Sequence, residues 1–317
     1  MKLRTLLVGT LMLAWGLLPA RAGARIEAWR DAETNAVNRM PMHASFFAYE
    51  SREAALAGDR KVSERYLSLN GVWRFAWVED ADQRPTDFYR TDYDDGHWST
   101  MPVPGLWEVN GYGDPLYVNI GYAWREQFRN NPPEVPVENN HVGSYRREIV
   151  IPESWRGEQI IAHFGSVTSN LSLWVNGSFV GYSEDSKLEA EFDITRYVKP
   201  GRNLIAFQVF RWCDGSYLED QDFWRLSGVG RDCYLYARDW KHIEDVRLGA
   251  SLTDDFTRGR LDVELLFPRE ARGCTAEVRL EVPGAPDGAL IGRVKVSGEK
   301  EHLTLDAGLV EAWTAET

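Results

Sequence analysis

From about residue 70 onward, apolar and polar positions alternate with the period of two that a half-buried β-strand imposes. "SLNGVWRFAW" alternates around Val72, Arg74 and Ala76, and "SYRREIVI" sets Tyr145, Arg147, Ile149 and Ile151 on one side of a strand. "LSLWVNGSFVGY" predicts a hairpin: Leu171, Leu173 and Val175 alternate, Asn176-Gly177 supply the positive φ angles of a tight turn, and Phe179 begins the return. "NLIAFQVF" is apolar on both faces, as a strand in the middle of a sheet must be. Before residue 70 the pattern is irregular, with one short helix predicted from Ser51 to Leu56. Long helical periodicity is missing, and stretches such as "NNPPEVPVENN" carry the proline and asparagine of loops. The pattern predicts an extended segment over 23–44 and a sandwich of antiparallel sheets with long loops over 45–240.

Near "RDWKHIEDVRLG" the texture changes, because aromatic density drops and shorter alternations begin. Leu261, Val263 and Leu265, then Ala276, Val278, Leu280 and Val282, then Leu303 and Leu305 have the spacing of an immunoglobulin-like β-sandwich over 241–317. That second sandwich is expected to be incomplete, since its pattern runs out at Thr317 without a closing strand or helix.

The first residues carry a different pattern. "MKLRTLLVGTLMLAWGLLPARAG" has Lys2 and Arg4, an apolar run from Leu6 to Leu18, and small residues at Ala20 and Ala22. This is the build of a secretory signal peptide over 1–22, cleaved after Ala22, and it predicts a periplasmic or secreted mature chain. The run is too short to span a bilayer comfortably and no second one follows, so no membrane partner is expected.

Charge narrows the partners. Among 317 residues, 48 acids outnumber 36 bases for a net charge of −12, which repels a phosphate backbone and argues against nucleic acid. Thirteen each of Trp, Tyr and Phe suit β-sheet cores first and the C–H faces of sugars second. The three cysteines, Cys213, Cys233 and Cys274, share no metal-ligand spacing and are expected to be buried free thiols. No P-loop, G-x-G-x-x-G, G-x-S-x-G or C-x-x-C occurs, and the six histidines form no H-x-x-x-H pair.

One stretch stands apart. "RWCDGSYLEDQDFWRLSGVGRDCYL", Arg211 to Leu235, packs Asp214, Glu219, Asp220 and Asp222 among Trp212, Tyr217, Phe223 and Trp224, without a lysine. Three uses remain open on residue chemistry alone. It is a solvated acidic loop, a carboxylate pair for glycoside hydrolysis, which needs the two groups roughly 5–9 Å apart across a sugar, or a cation and polyol site built from hard oxygens against a flat wall.

The stretch resembles the signature of the β-galactosidases of glycoside hydrolase family 2. The resemblance continues through "SLNGVWRFAW", "GYGDPLYVNIGYAW", "NPPEVPVENN", "LWVNGSFVGYSEDSKLEAEFDIT" and "IEDV", over roughly residues 29–260. It implies an N-terminal jelly-roll (galactose-binding-like) β-sandwich in an all-β chain, with Asn119 hydrogen-bonding a galactoside and Asp222 binding the sugar's 6-hydroxyl while ligating Na+. It also implies a structural divalent ion, Mg2+, at Asp31, Glu184 and Asp214, where Asp31 replaces the family's asparagine and Glu184 its glutamine. Carboxylate oxygens suit Mg2+ at least as well as amide oxygens. Trp224, Gly228 and Arg231 are read as architecture, with Arg231 beside Asp232 locking the loop onto the sheet.

The family places its two catalytic glutamates in a TIM barrel that follows the second β-domain, a barrel absent from these 317 residues. The resemblance thus implies a chain inactive alone, within an enzyme that cleaves terminal non-reducing β-D-galactose with retention from a galactoside or galactose-containing glycan. Full-length relatives are often homo-oligomeric. Two alternatives stand beside it: a free-standing non-catalytic carbohydrate-binding module, and the same family acting on a β-glucuronide or β-mannoside.

Overall fold

A computed structural model describes residues 27–124, 127–282 and 285–316, so the signal peptide expected over 1–22 lies outside the described residues. Seven strands form the larger sheet of the first sandwich, in the order Ala36–Val37, Ser178–Ser183, Leu171–Val175, Gly201–Phe210, Val142–Ile151, Gly71–Val78 and Ser99–Val103. Gly201–Phe210 is the central strand, and it is buried from Asn203 to Phe210. Its apolar character on both faces follows, because the core packs against one face and the loop aromatics Phe88 and Trp98 cover Ala206 on the other. The facing sheet has the order Ala190–Asp193, Gln159–Phe164, Cys233–Arg238 and Tyr66–Ser68, and all pairings in both sheets are antiparallel.

The core between the sheets is aromatic. Trp73, Phe75, Tyr145 and Phe207 from the larger sheet meet Phe164, Phe192 and Leu235 from the smaller. Tyr145 and Phe207 are cross-strand partners whose rings stack at 4.2 Å between centroids. Tyr145, Ile149 and Ile151 are buried on the side the alternation assigns them, while Arg147 on the same side donates to the carbonyls of Leu69 and Asn70 at 2.8 and 3.0 Å. The hairpin turns at Asn176 and Gly177, with φ of 49° and 83°. The helix runs Arg52–Ala57, with the Ser51 hydroxyl accepting from the Ala54 amide at 3.2 Å and Gly58 closing it in the left-handed conformation.

A second sandwich follows, with a three-stranded sheet of Asp245–Leu252, Arg258–Leu266 and Lys300–Leu309 and the pair Thr275–Val282 and Ala285–Lys295. Its own core gathers Val263, Leu265, Phe267, Val296 and Leu305. The chain is therefore all-β and built of two sandwiches. The three cysteines are free, Cys213 and Cys233 buried and Cys274 half-buried.

Two small pairings outside the main sheets carry the loops that matter for function. Leu116–Val118 pairs with Phe223–Arg225 as a two-stranded ribbon. Gly228–Val229 runs between Gly105–Leu106 and Val167–Thr168. Gly228 has φ of 108°, and a Cβ there would meet the Gly105 carbonyl at 2.7 Å, so its reading as architecture is sound.

Candidate functional site

The acids of the Arg211–Leu235 stretch go to different places. Glu219 accepts from the Ser186 amide at 3.0 Å and from the Ser186 hydroxyl. Asp220 pairs with the buried Arg225 guanidinium at 2.7 Å. Asp214 turns inward beside Glu184. Asp222 alone stays on an exposed surface, where its carboxylate accepts from the Tyr117 hydroxyl. Glu219 and Asp220 are thereby committed to holding the loop.

The ribbon explains where Asp222 sits. Its last pair is Phe223 with Val118, and Asp222 and Asn119 are the next residues beyond that pair, one on each strand. Tyr117 and Trp224 are a cross-strand pair and share one face, and the Tyr117 hydroxyl reaches Asp222 just beyond the ladder; Asn119 follows on the other strand. All four are exposed, and the Tyr117 and Trp224 rings lie 5.6 Å apart. The opposite face carries Val118, Phe223 and the Arg225 guanidinium, which donates to the carbonyls of Val118 and Phe223. Phe223 lies between two cations, with Arg225 5.2 Å and Lys187 5.7 Å from its ring centre.

The two residues that the family resemblance assigns to the sugar thus follow the same end of the ribbon, although 103 positions separate them in the chain. Trp224 corrects an expectation: 56% of its surface is exposed, so it is part of the candidate surface rather than of the packing beneath it. Tyr117 was missed, and the signal for both was the i, i+2 spacing to Asn119 and Asp222. Arg231 does lock its loop, donating to the Lys187 carbonyl at 2.8 Å, whereas Asp232 is engaged separately by the Asn70 amide at 2.9 Å.

Of the three expected divalent-ion ligands, two meet. Glu184 is buried, and burial together with the neighbouring Asp214 holds its carboxyl well above the usual carboxylate range, even though the Tyr182 hydroxyl donates to it at 2.6 Å. Burial raises Asp214 as well, and the negative charge of Asp31 adds to the effect. Asp214 Oδ1 is buried without a hydrogen-bond partner. Asp31 itself is exposed and accepts from the Thr34 hydroxyl at 2.8 Å and the Glu33 amide at 3.3 Å. Among the described residues no three His, Cys, Asp or Glu side chains converge closely enough to hold an ion unaided. The orphaned oxygen and the two carboxyls raised by burial nevertheless fit a place where positive charge is wanted.

Comparison with known proteins gives the family. Residues 66–239 match the model of the glycosyl hydrolases family 2 sugar binding domain. A β-galactosidase of Priestia megaterium is 42% identical over 248 residues, covering 77% of this chain and 24% of that protein. One from Halalkalibacterium halodurans is 40% identical over 291 residues, covering 90% of this chain and 28% of that protein. The chain thus spans about a quarter of the length of these relatives. Among solved structures, a β-glucuronidase of an uncultured Clostridium matches with a TM-score of 0.55 at 20% identity, covering 76% of this chain and 39% of that one, a likeness of fold. The chain belongs to glycosyl hydrolase family 2, with the family's sugar-binding domain at its centre.

Proposed function

We propose that this chain is the N-terminal part of an exported, retaining β-galactosidase, to which it contributes a wall of the galactose site and not the reacting groups. The observation that carries the reading is the end of the ribbon, where Asn119 and Asp222 follow the last cross-strand pair and the exposed Tyr117 and Trp224 lie alongside, Tyr117 donating to Asp222. An amide and a carboxylate read sugar hydroxyls by hydrogen bonding, and the two rings offer apolar area to a pyranose C–H face. Asp222 would hold Na+ beside the sugar, where the bound cation supplies a fixed positive charge that orients a hydroxyl oxygen.

The whole protein would cleave terminal non-reducing β-D-galactose through two glutamates that lie outside these 317 residues, one protonating the leaving oxygen and the other attacking the anomeric carbon. Identity of 42% and 40% with β-galactosidases over most of this chain supports galactose over a glucuronide or mannoside. Glu184 and Asp214, with Asp31 nearby in charge, would hold Mg2+, whose charge would favour their ionised carboxylates and satisfy Asp214 Oδ1.

Two measurements test the reading. Incubated with a chromogenic β-galactoside, the chain by itself is expected to show no turnover above an Asp222→Asn control. Galactoside affinity by calorimetry is expected to be higher in sodium chloride than in choline chloride, and to lose that difference in Asp222→Asn. Binding that ignores both the cation and position 222 refutes the assignment.

A further inference from the structure

The outer face of the four-stranded sheet carries a cavity of about 540 Å³, within the size range of small-ligand sites and sharing no lining residue with the ribbon. The segment Met40–Tyr49 crosses that face as a strap, tied by the Met40 amide to the Glu191 carbonyl at 2.9 Å and by the Ala44 amide to Asp245 at 2.9 Å. One wall is apolar: Phe46, 39% exposed at the mouth, with Phe47 and Tyr49 behind it. The floor is the Tyr234 ring, fixed by His163 stacked at 4.3 Å and by the Arg60 guanidinium at 4.6 Å.

The polar lining is balanced in charge. Arg60, Lys61 and Arg231 face Asp59, Glu189 and Asp232, while Glu191 beneath them is matched by His43 and His163 at 2.9 and 2.8 Å. Several of these groups are unspent. The Lys61 ammonium and the Glu189 carboxylate make no hydrogen bond or ion pair among the described residues. Asp59 uses one oxygen on the Lys61 amide at 2.9 Å and keeps the other free. A charged ligand would pair with one sign and be repelled by the other, whereas hydroxyl groups donate to the carboxylates and accept from the cations at once.

We propose that this cavity is a second carbohydrate site, which takes a neutral pyranoside with its C–H face on Phe46 and its hydroxyls on Lys61, Glu189 and Asp59. It holds a glycan without reacting with it. The inference stands on the cavity and not on the role of the ribbon.

The experiment is saturation-transfer NMR and calorimetry on the full chain, with lactose as the neutral probe and lactobionate as its anionic counterpart. Lactose binding is expected to persist in Asp222→Asn, where any ribbon contribution is weakened. In that background Phe46→Ala and Glu189→Gln are each expected to weaken it at least tenfold, with lactobionate binding no tighter than lactose. Phe46 is surface-exposed and Glu189 unpaired, so thermal midpoints of both variants should match the parent; should one fail to fold, the other decides. Loss of all lactose signal in Asp222→Asn, indifference to both cavity substitutions, or a preference for lactobionate overturns the proposal. Because the ribbon is judged by its sodium dependence and the cavity by these two variants, either can fail alone.

Discussion

Replacing His43 by glutamine tests the bond between the strap and the sheet. The His43 ring uses both nitrogens, Nδ1 to the Ala44 carbonyl at 2.7 Å and Nε2 to Glu191 at 2.9 Å, which requires a protonated imidazolium donating twice. The hydrogen bond to Glu191 outweighs burial and raises His43 from 6.5 to about 9. Glu191 answers in kind: burial pulls its carboxyl up, but hydrogen bonds from His163 and His43 take it down to about 2. A rise to about 9 corresponds to an upper bound of about 3 kcal/mol for this one interaction, counted once for the two partners. The raised group stabilises the fold fully below pH 6.5 and loses that contribution as pH climbs through about 9. Urea unfolding followed by tryptophan fluorescence, at pH 6 and pH 9.5, should show His43→Gln less stable by up to about 3 kcal/mol at the lower pH, with the gap shrinking to a few tenths at the higher. Other titrating groups, Glu184 among them, are common to both proteins and cancel. A gap that is the same at both pH values would refute the linkage between ring charge and strap.

Glu184→Gln removes one carboxyl of the buried pair. Because the folded-state pKa of Glu184 lies above its unfolded value, the stability of the parent falls as pH rises above about 4.5, and the variant should flatten that fall and also lack the thermal shift expected of the parent with Mg2+; an unchanged pH slope counts against the pair. Arg225→Met strands Asp220 and the carbonyls of Val118 and Phe223, and should cost about 3–5 kcal/mol in chemical denaturation, a loss below about 1 kcal/mol contradicting the buried role of the guanidinium. Gly228→Ala should lower stability by more than about 1 kcal/mol, since φ of 108° and a Cβ 2.7 Å from the Gly105 carbonyl cannot both be relieved; an unchanged thermal midpoint would show that the loop yields.

Local signals in the sequence were reliable where the physics is local. Asn176-Gly177 sets its own turn, Ser51 caps its own helix, and the run from Asn203 to Phe210, apolar at six of its eight positions and on both faces, places itself in the centre of a sheet. The candidate site was legible only through family resemblance, because nothing in residue spacing says that Asn119 and Asp222 are neighbours. The acidic stretch could not be divided by inspection either. Asp220 and Asp222 are two residues apart and chemically alike, yet one is bound to the buried Arg225 guanidinium and the other is exposed and meets the Tyr117 hydroxyl. The cluster of His43, His163 and Glu191 was invisible for the same reason: its members come from a strap and two strands, and only tertiary packing makes them one group.

The ribbon shows how an exposed site is made firm. A two-stranded hairpin alone is marginal in water, and Leu116–Val118 with Phe223–Arg225 belongs to neither main sheet. What replaces the missing sheet neighbour is charge: Arg225, 5% exposed, lies beneath the strands, donates to a carbonyl of each, and is itself held by Asp220. A guanidinium with five donors in a rigid plane can tie several acceptors at once, where a lysine would tie them loosely. The density of acids in this stretch therefore serves two ends. Glu219 and Asp220 bind inward to Ser186 and Arg225 and hold the loop, and that anchoring allows Asp222 to present an exposed carboxylate beside the Tyr117 hydroxyl at the end of the ribbon.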